Sequence, residues 1–556
     1  MWWWCMGRIE VLGRYQSPFD VFSAAVARRS ASPFLLAPSS AELAYARDGF
    51  RFAYGEAERA VSTLRADFAA AGYGRGARVA LLLDNRPEFF FHWLSLNALG
   101  VSIVPINPDL QPDELSYQLE KSKADLLVAT RDRMPLARRA DLGRARLIEV
   151  GEPIPACASP VTAQAGAADH ECALLFTSGS TAKPKACILS NRYFLGIADW
   201  YVNQGGAAAV REEGEINLTP LPMFHMNALG CSVVGMMALG GAVVPLDRFS
   251  ANRWWASVAD SGATIVHCLG VIPAILLQLP VSEAERRHSA RFAFAPAVDV
   301  RHRAIFEERY GIPIVDAWAM TETGGAAATT TAKEPRGFPS RCIGRPADNM
   351  VFRLADDEGR DVAAGQPGEL LVRSKGPDPR LGFFSGYLDD PVNTEDAWKD
   401  GWFHTGDYVY VGPDGLLYFF DRKKSIVRRS GENIAVLEVE STLQKLDGVE
   451  ATAVTPVPDD LRGEEVFAFV VKSPGTAADD RTFAEAIVRG AAETLAYHKV
   501  PAYVSFIDAL PLSPTRKIAR GEVKVQAVHA LEGNTAFDFR DLKAQLRKKP
   551  KAAGPA

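Results

Sequence analysis

The residues best suited to chemistry are a run of small hydroxyl side chains followed by two lysines, in the segment TSGSTAKPKA at 177–186. A buried strand, ALLF at 173–176, precedes this run, and a helix-like stretch follows from about Ser190. A polyphosphate needs many hydrogen-bond donors and positive charge with little bulk, and this loop offers all three. A plain Ser/Thr-rich turn between strand and helix is the alternative. The Lys-Pro-Lys ending favours a phosphate loop over such a turn. The P-loop pattern of NTPases is absent, so this loop is not of that kind.

Five further segments carry carboxylates, aromatic rings or clustered basic residues that could serve the same site. Asp407 could accept two hydroxyl donors, and the five basic residues within 422–429 suit a polyanion. The segments are LPMFHMNALG (221–230), DAWAMTETG (316–324), GWFHTGD (401–407), FDRKKSIVRRSGENI (420–434) and HKVPAYVSFIDALPLSPTRKIARGEVK (498–524).

Taken singly, each segment also has a plainer interpretation, which residue types alone leave open. These interpretations are a core histidine for His225, a helix-capping pair for Thr321-Glu322, a turn for Gly406-Asp407, a solvated strand edge for 422–429 and a surface lysine for Lys517.

The elements that must position these segments alternate between short apolar runs and helix-like stretches. In the first third, strands at 78–85, 101–107 and 125–130 are separated by helices at 87–100 and 113–124. Strands alternating with helices of this length predict βαβ units and a parallel sheet.

Later parts of the chain divide the same way. The strand–helix pattern resumes at 230–275 and 290–320, changes to strands and turns from about 350, and becomes a compact αβ unit from about 425 to 528. We therefore expect an α/β protein. Its large N-terminal domain has several subdomains, with parallel sheets and a β-rich part, and a small α+β domain follows.

Composition excludes several classes of protein. Of 556 residues, 47% are apolar and 23% charged, which is typical of globular proteins, and the net charge of 62 − 67 = −5 gives no basic footprint for nucleic acid or an anionic membrane. The seven cysteines form no CxxC pair and predict reduced, buried thiols. No stretch reaches about 18 uninterrupted apolar residues, and the apolar start before Arg8 is too short for a signal segment. We expect a cytoplasmic enzyme, and a homodimer is one state that the sequence allows.

The six segments, in this order, resemble the ANL superfamily of adenylate-forming enzymes: acyl-CoA synthetases, adenylation domains of peptide synthetases, and luciferases. PMFHMNALG, RFSANRWW (248–255) and the 420–434 segment are most similar to the crotonobetaine/carnitine–CoA ligase branch. The chain departs from the superfamily pattern where Ala182, Ala186 and Arg516 replace glycines, Trp318 replaces tyrosine and Ala319 replaces glycine.

The resemblance implies a role for each matching residue. Nucleotide binding falls to Thr177, Ser178, Gly179, Ser180, Thr181, Lys185, Asp316, Trp318, Thr321, Asp407, Arg422 and Arg428. Glu322 and Thr181 would hold Mg²⁺ and, with Lys517, form the catalytic set. The acid would contact His225, Met226, Asn227, Leu269, Gly270, Ala295, Pro296 and Trp318, and CoA would contact Ser430 and Gly431.

The resemblance also implies an ATP-dependent, AMP-forming carboxylic acid–CoA ligase, acting on a small to medium organic acid through an acyl-adenylate. It divides the chain into residues 1–423 and a mobile C-terminal domain at 424–530 that rotates about the hinge Lys424. The basic, Pro- and Ala-containing composition after it predicts a flexible tail at 531–556. No carrier domain follows residue 530, which favours CoA as acceptor. An adenylating enzyme that loads a carrier protein is the first alternative. The second alternative is a nucleotide-binding pseudoenzyme. Its support is the loss of the superfamily glycines at Ala182, Ala186 and Arg516.

Overall fold

The first third of the chain alternates strands and helices, as its sequence predicts. Helix α3 begins at Pro87, where the missing N–H of proline is tolerated, and ends just before Gly100, which has φ +73°. The elements are α1 Pro18–Arg29, β1 Pro33–Ala37, β2 Phe50–Ala53, α2 Tyr54–Ala70, β3 Arg78–Leu82, α3 Pro87–Ala98, β4 Ser102–Pro105, α4 Pro112–Ser122, β5 Leu126–Ala129, α5 Met134–Ala137 and β6 Arg146–Glu149.

The computed structural model describes residues 8–161, 166–177, 183–269, 271–298, 300–334, 342–422, 426–473, 479–511 and 518–548. Its second third continues the alternation. The elements are β7 Glu171–Thr177, β8 Lys185–Ser190, α6 Asn191–Val202, β9 Ile216–Thr219, α7 Gly235–Leu239, β10 Ala242–Pro245, α8 Trp254–Ser261, β11 Ile265–His267, α9 Val271–Leu277, β12 Phe292–Phe294, α10 Val300–Tyr310 and β13 Ile314–Val315. A π-helix, Ala228–Val234, precedes α7.

Two mainly parallel sheets arise from these elements. One has the strand order β13-β12-β11-β9-β10-β1-β2, and the other contains β8-β7-β4-β3-β5-β6. Phe22 of α1, Trp93 of α3 and Phe194 of α6 lie in one buried apolar cluster with Leu35 of the first sheet and Ile103 of the second. The predicted α/β class is confirmed, and the helices between the sheets form the shared core.

The helix predicted from about Ser190 is confirmed as α6, and strand β8 is an additional element between the phosphate loop and that helix. Strand β8 pairs antiparallel with β7, so the strands on either side of the loop are neighbours in the sheet, and helix α6 begins after β8. Ser190 ends β8 and caps α6, because its side chain accepts the Tyr193 N–H. The short run KACILS gave no separate strand signal in the sequence.

The β-rich part begins near residue 317 rather than at the predicted 350. Its first strands are two residues long, which is too short to show an alternating pattern. Its elements are β14 Ala317–Trp318, β15 Thr329–Thr330, β16 Cys342–Pro346, β17 Met350–Ala355, β18 Gly368–Ser374, β19 Gly386–Tyr387, α11 Pro391–Ala397, β20 Trp398–Lys399, β21 Trp402–Val411 and β22 Leu417–Arg422. The sheet order is β14-β15-β16-β22-β21-β18-β17, while β19 joins β8 in the second parallel sheet.

The C-terminal unit is a mixed sheet in the order β24-β23-β26-β27-β28, with β25 paired to β26. Its elements are β23 Ile426–Arg429, β24 Glu432–Ala435, α12 Val436–Leu443, β25 Val449–Asp459, β26 Gly463–Lys472, α13 Asp480–Thr494, β27 Tyr503–Phe506, α14 Arg520–Glu532, β28 Phe537–Asp538 and α15 Arg540–Lys548. The short 3₁₀ turn Tyr497–Lys499 lies between α13 and β27.

The prediction of a flexible tail at 531–556 is wrong for residues 531–548, the part that the structure describes. Strand β28 pairs with β27, and the leucines of α15 pack on the core of the C-terminal unit. Lys543 of α15 is buried and donates to Glu465 at 2.9 Å. The basic composition concealed these contacts, because only one face of a short helix needs to be apolar.

Among the described helices, none combines the length and the apolar run that crossing a bilayer requires. Six cysteines fall within the described ranges, and all six are buried free thiols, as predicted.

Candidate active site

The phosphate loop is held between two residues that face each other across its hairpin. Thr177, at the end of β7, lies opposite Lys185 at the start of β8. Lys185 Nζ donates to Asn393 Oδ1 at 2.7 Å and lies 4.7 Å from the centre of the Tyr387 ring. The hairpin thus presents a hydroxyl and an ammonium group at the two ends of the loop. The predicted loop residues Ser178, Gly179, Ser180 and Thr181 lie outside the described residues.

The carboxylate of Glu322 is buried beside this hairpin. Tyr387 donates its hydroxyl to Glu322 Oε1 at 2.9 Å, and Thr177 Oγ1 lies 3.5 Å from the same oxygen. Burial, reinforced by Glu322, raises the pKa of Tyr387, so the phenol remains a donor at neutral pH. Thr321 and Glu322 occupy a turn that starts no helix, so the capping interpretation is wrong. The backbone oxygen of Thr321 accepts the buried Tyr193 hydroxyl at 2.7 Å.

Asp316 holds the turn that follows strand β12. Its Oδ1 accepts the N–H groups of Ala297 at 3.0 Å and Ala317 at 2.9 Å, and Arg303 donates to Oδ2 at 2.9 Å. Burial raises the pKa of Asp316 to about 6, although Arg303 opposes that shift. The side chain predicted to bind nucleotide therefore fixes the turn beside Ala295, a buried residue of the predicted acid pocket.

The indole of Trp318 meets the carboxylate of Asp407. Trp318 Nε1 donates to Asp407 Oδ2 at 2.8 Å, and both side chains are buried. Across strands β21 and β22, the backbone of Asp407 lies opposite that of Arg422, whose side chain falls outside the described part. Three residues predicted to bind the nucleotide are thus brought together from segments almost 90 positions apart, as the separation of Trp318 and Asp407 shows.

His225 lies at the contact between the large domain and the C-terminal unit. Its side chain is 39% exposed, and Nε2 lies 3.5 Å from Glu432 Oε1, so the core-histidine interpretation is wrong. Burial alone would raise the pKa of Glu432, but the combined effect of His225, His498 and Lys499 lowers it by more. The pKa of Glu432 consequently lies at about 2, and the side chain is ionised at neutral pH.

Met226 and Asn227 follow His225 at the start of the π-helix and are half-buried. Met226 packs against the main apolar cluster. The Oδ1 atom of Asn227 is buried and has no hydrogen-bond partner within the described ranges. This wall is therefore mainly apolar, with one buried amide oxygen behind it. Gly270, predicted to complete it, is outside the described residues, although its neighbour Leu269 is within them.

The turn predicted to contact CoA packs directly on this wall. Ser430 and Gly431 join β23 to β24 with φ +50° and +89°, and a Cβ at Gly431 would overlap the side chain of Leu269. The Arg428 backbone N–H donates to Glu464 Oε2 at 2.7 Å, and the charge of Arg428 reaches Asp316, whose pKa it lowers. The C-terminal unit therefore presents this turn to the large domain.

Two residues that the resemblance implies for catalysis and movement, Lys517 and Lys424, lie outside the described part of the chain. Conversely, three residues at the site were missed. Glu432 directly follows the predicted CoA turn, and Lys499 belongs to a quoted segment, so a signal existed for both. Tyr387 lies in no quoted segment, and nothing in the sequence indicated its bond to Glu322.

Comparison of the sequence with known proteins finds two family matches. A sequence model of the family described as AMP-binding enzyme matches residues 32–388, and that of the AMP-binding enzyme C-terminal domain matches residues 438–517. The crotonobetaine/carnitine–CoA ligase of Citrobacter koseri is 29% identical over 499 residues, covering 85% of this chain and 93% of that protein. The protein of the same name from Salmonella arizonae is 30% identical over 502 residues with the same coverage.

Solved structures share the fold. A double mutant of the o-succinylbenzoate CoA synthetase from Bacillus subtilis, bound with its product analogue, matches with a TM-score of 0.77 at 22% identity, covering 92% of this chain and 98% of that one. The same enzyme in complex with its acyl-adenylate intermediate matches with a TM-score of 0.63 at 23% identity and equal coverage. The amide bond synthetase McbA from Marinactinospora thermotolerans matches with a TM-score of 0.76 at 24% identity, covering 92% and 99%.

Proposed function

Because this chain belongs to the family of AMP-binding enzymes, we propose that it is an AMP-forming carboxylic acid–CoA ligase that activates a small to medium organic acid. The observation that carries the proposal is the contact between the Glu322 carboxylate and the hydroxyl of Thr177, which ends strand β7 just before the phosphate loop. A buried carboxylate at a loop of hydroxyl and ammonium groups is an arrangement for a metal-bound polyphosphate. The relatives named as CoA ligases support the choice of reaction.

In the first half-reaction, a carboxylate oxygen of the acid attacks the α-phosphorus of ATP, and the bond to pyrophosphate breaks. The nucleophile is already ionised at neutral pH, so no general base is required. Two anions must approach each other, so catalysis depends on positioning and on neutralising charge. We assign that task to Lys185, to the hydroxyls of Ser178, Ser180 and Thr181, and to Lys517, on the motif that each occupies.

Magnesium fits the residues that the site provides. No group of three or more His, Cys, Asp or Glu side chains suited to a metal occurs in the described ranges, so the chain offers no all-protein cage there. One carboxylate with phosphate oxygens and water is the usual donor set for Mg²⁺. Glu322, and Thr181 from the loop, would hold the ion, which when bound supplies charge neutralisation.

In the second half-reaction, the sulfur of CoA attacks the carbonyl carbon of the acyl-adenylate, and the bond to AMP breaks. We propose that the structure has the arrangement for this step, with the turn Ser430-Gly431 guiding the thiol along the wall at Leu269. The higher similarity to the product-analogue complex than to the acyl-adenylate complex of one enzyme supports this assignment. The first step would then require rotation about Lys424 to bring Lys517 to the phosphates.

The proposed substrate is a class of carboxylic acids, defined by the lining of the pocket. The mainly apolar wall at Met226 suits an organic acid of modest size. The relatives named crotonobetaine/carnitine–CoA ligase support testing crotonobetaine and carnitine first. We propose a cytoplasmic location, which the six free buried thiols support.

The proposal is tested by acid-dependent ATP–pyrophosphate exchange followed by mass detection of the thioester. The acid panel should include crotonobetaine, carnitine, o-succinylbenzoate, benzoate and malonate, each with CoA and with a pantetheinylated carrier protein. We expect exchange with at least one acid and an acyl-CoA product. Transfer to the carrier alone would favour a carrier-loading enzyme, and no exchange with any acid would favour a pseudoenzyme.

A further inference from the structure

Lys499 is buried between two carboxylates that come from different domains. Its Nζ donates to Glu114 Oε1 at 2.6 Å and to Glu438 Oε1 at 2.7 Å. The side chains of Lys499, Glu114 and Glu438 are only 8%, 12% and 11% exposed. The three residues therefore form a desolvated ionic group at the boundary between the large domain and the C-terminal unit.

Glu114 is fixed to the large domain. The second oxygen of its carboxylate accepts the backbone N–H of Gln111 at 2.8 Å, which ties the side chain to the first turn of α4. One turn further along α4, the hydroxyl of Tyr117 donates to the Pro184 carbonyl at 2.8 Å, and Lys183 lies 4.8 Å from the centre of its ring. Glu114 therefore cannot follow the C-terminal unit if that unit rotates.

Glu438 moves with Lys499 instead. It lies in the first turn of α12, within the C-terminal unit. Rotation of that unit would therefore keep the Lys499–Glu438 pair and break the Lys499–Glu114 pair. Among the ionic contacts of Lys499, the bond to Glu114 is the one that reports the position of the domain.

The ionic group of Lys499, Glu114 and Glu438 has two negative charges and one positive charge. The ammonium of Lys499 is therefore needed to neutralise the carboxylates while the domains are in contact. Two carboxylates share one ammonium, and Glu438 Oε2 is buried without a hydrogen-bond partner in the described part of the chain. Burial raises the pKa of Glu438, and Lys499 opposes that rise. Without the ammonium, Glu114 and Glu438 would face each other as buried, like-charged groups, which strongly disfavours contact.

We propose that Lys499 is a positioning residue that holds the C-terminal domain in the thiol-transfer arrangement, with Glu114 as its fixed partner. The inference deepens the proposed function and rests on it. Lys499 does not touch the reacting atoms. It acts by keeping the Ser430-Gly431 turn against Leu269, so its loss slows transfer to CoA and spares formation of the acyl-adenylate.

The two half-reactions are measured separately in the full-length Lys499→Met variant, with the acid that gives the strongest exchange in the panel. We expect single-turnover transfer from the synthetic acyl-adenylate to CoA to slow about tenfold or more, while ATP–pyrophosphate exchange stays within about twofold. Lys499→Arg keeps the charge and should restore most of the transfer rate. Lys472→Met is the matched control, because it removes an exposed ion pair with Asp480 inside the C-terminal unit.

Glu114→Gln tests the same contact from the other domain and guards against misfolding of the Lys499 variants. The amide oxygen still accepts the Gln111 N–H, but the charge that faces Lys499 is gone. The same selective loss of transfer is expected. Equal loss of both half-reactions, or transfer at the original rate in Glu114→Gln, would overturn the proposal.

A readout without turnover separates this inference from the proposed function. Hydrogen exchange followed by mass spectrometry should show faster exchange in peptides covering 112–122 and 497–500 in Lys499→Met than in the unchanged protein. If no acid supports exchange of pyrophosphate, the ligase assignment fails, while this measurement still reports on the domain contact. Unchanged hydrogen exchange in both peptides would contradict the proposed role of the Lys499–Glu114 contact.

Discussion

At the scale of single residues, the bond from Trp318 to Asp407 has the clearest consequence. The superfamily pattern has a tyrosine at position 318, and here a buried indole N–H is directed at Asp407, a carboxylate that the resemblance assigns to nucleotide binding. A hydrogen bond to a charged acceptor in a buried setting is stronger than one between neutral groups. Trp318 therefore fixes the orientation of Asp407 before the nucleotide arrives.

Replacing Trp318 with phenylalanine keeps an aromatic ring and removes the donor. We expect the KM for ATP to rise about tenfold with kcat changed much less, because one charged hydrogen bond contributes about 1.5 kcal/mol. Initial-rate kinetics with varied ATP measure this split. Trp402→Phe, on the same strand as Asp407 but packed under the Arg373 guanidinium, is the control. A fall in kcat at constant KM would contradict the assigned role.

At the scale of elements, the β23–β24 turn depends on a glycine for two separate reasons. Gly431 has φ +89°, which residues with a Cβ adopt at a cost, and it packs where a Cβ would overlap Leu269. The first reason concerns the stability of the hairpin. The second concerns contact between the domains and hence the proposed transfer step.

Gly431→Ala should slow transfer to CoA about a hundredfold and leave ATP–pyrophosphate exchange almost unchanged, because the overlap of about one methyl group blocks approach to the wall. Gly463→Ala is the matched control. Gly463 has φ +80° in the neighbouring hairpin, and its Cβ would come no closer than 3.7 Å to the Arg428 oxygen. It reproduces the backbone strain without contact to Leu269. Equal loss of transfer in both variants would show that strain alone is responsible.

At the scale of the whole molecule, buried histidines make stability depend on pH. Burial lowers the pKa of His498 from 6.5 to about 4, and Lys499, Lys543 and Arg429 add to this, while Glu432 opposes it. The unfolded chain takes up a proton near pH 6.5, and the folded chain does so only near pH 4. Between these values the unfolded state binds more protons, so stability falls as the pH falls.

We expect the C-terminal domain to lose about 3 kcal/mol of unfolding free energy between pH 7 and pH 4 through His498. Urea titrations read by hydrogen exchange of peptides from β25 and β26 measure this domain within the full chain. His498→Gln should flatten the dependence in that interval. His529→Gln, which changes an exposed histidine of the same domain, should leave it as it was. An unaltered slope in His498→Gln would refute the assignment.

The sequence by itself determined the features that depend on neighbouring residues. The alternation at 78–130 predicted β3, α3, β4, α4 and β5, because periodic burial and the proline and glycine at the ends of α3 act locally. The order of the six segments indicated adenylate chemistry, because each segment keeps its own spacing. Local signals were too weak for the two-residue strands β14 and β15 and for the helix hidden in the basic tail.

Only the tertiary structure decided which distant side chains meet. Lys499 and Glu114 are 385 positions apart, and no local period connects them. The same is true of two other pairs. His225 meets Glu432 because the C-terminal unit packs on the large domain. Tyr387 meets Glu322 because strand β19 joins the sheet beside β8. The charges near the proposed CoA turn were visible in the sequence. Their burial, which makes them decisive for domain position, arises only when the domains come into contact.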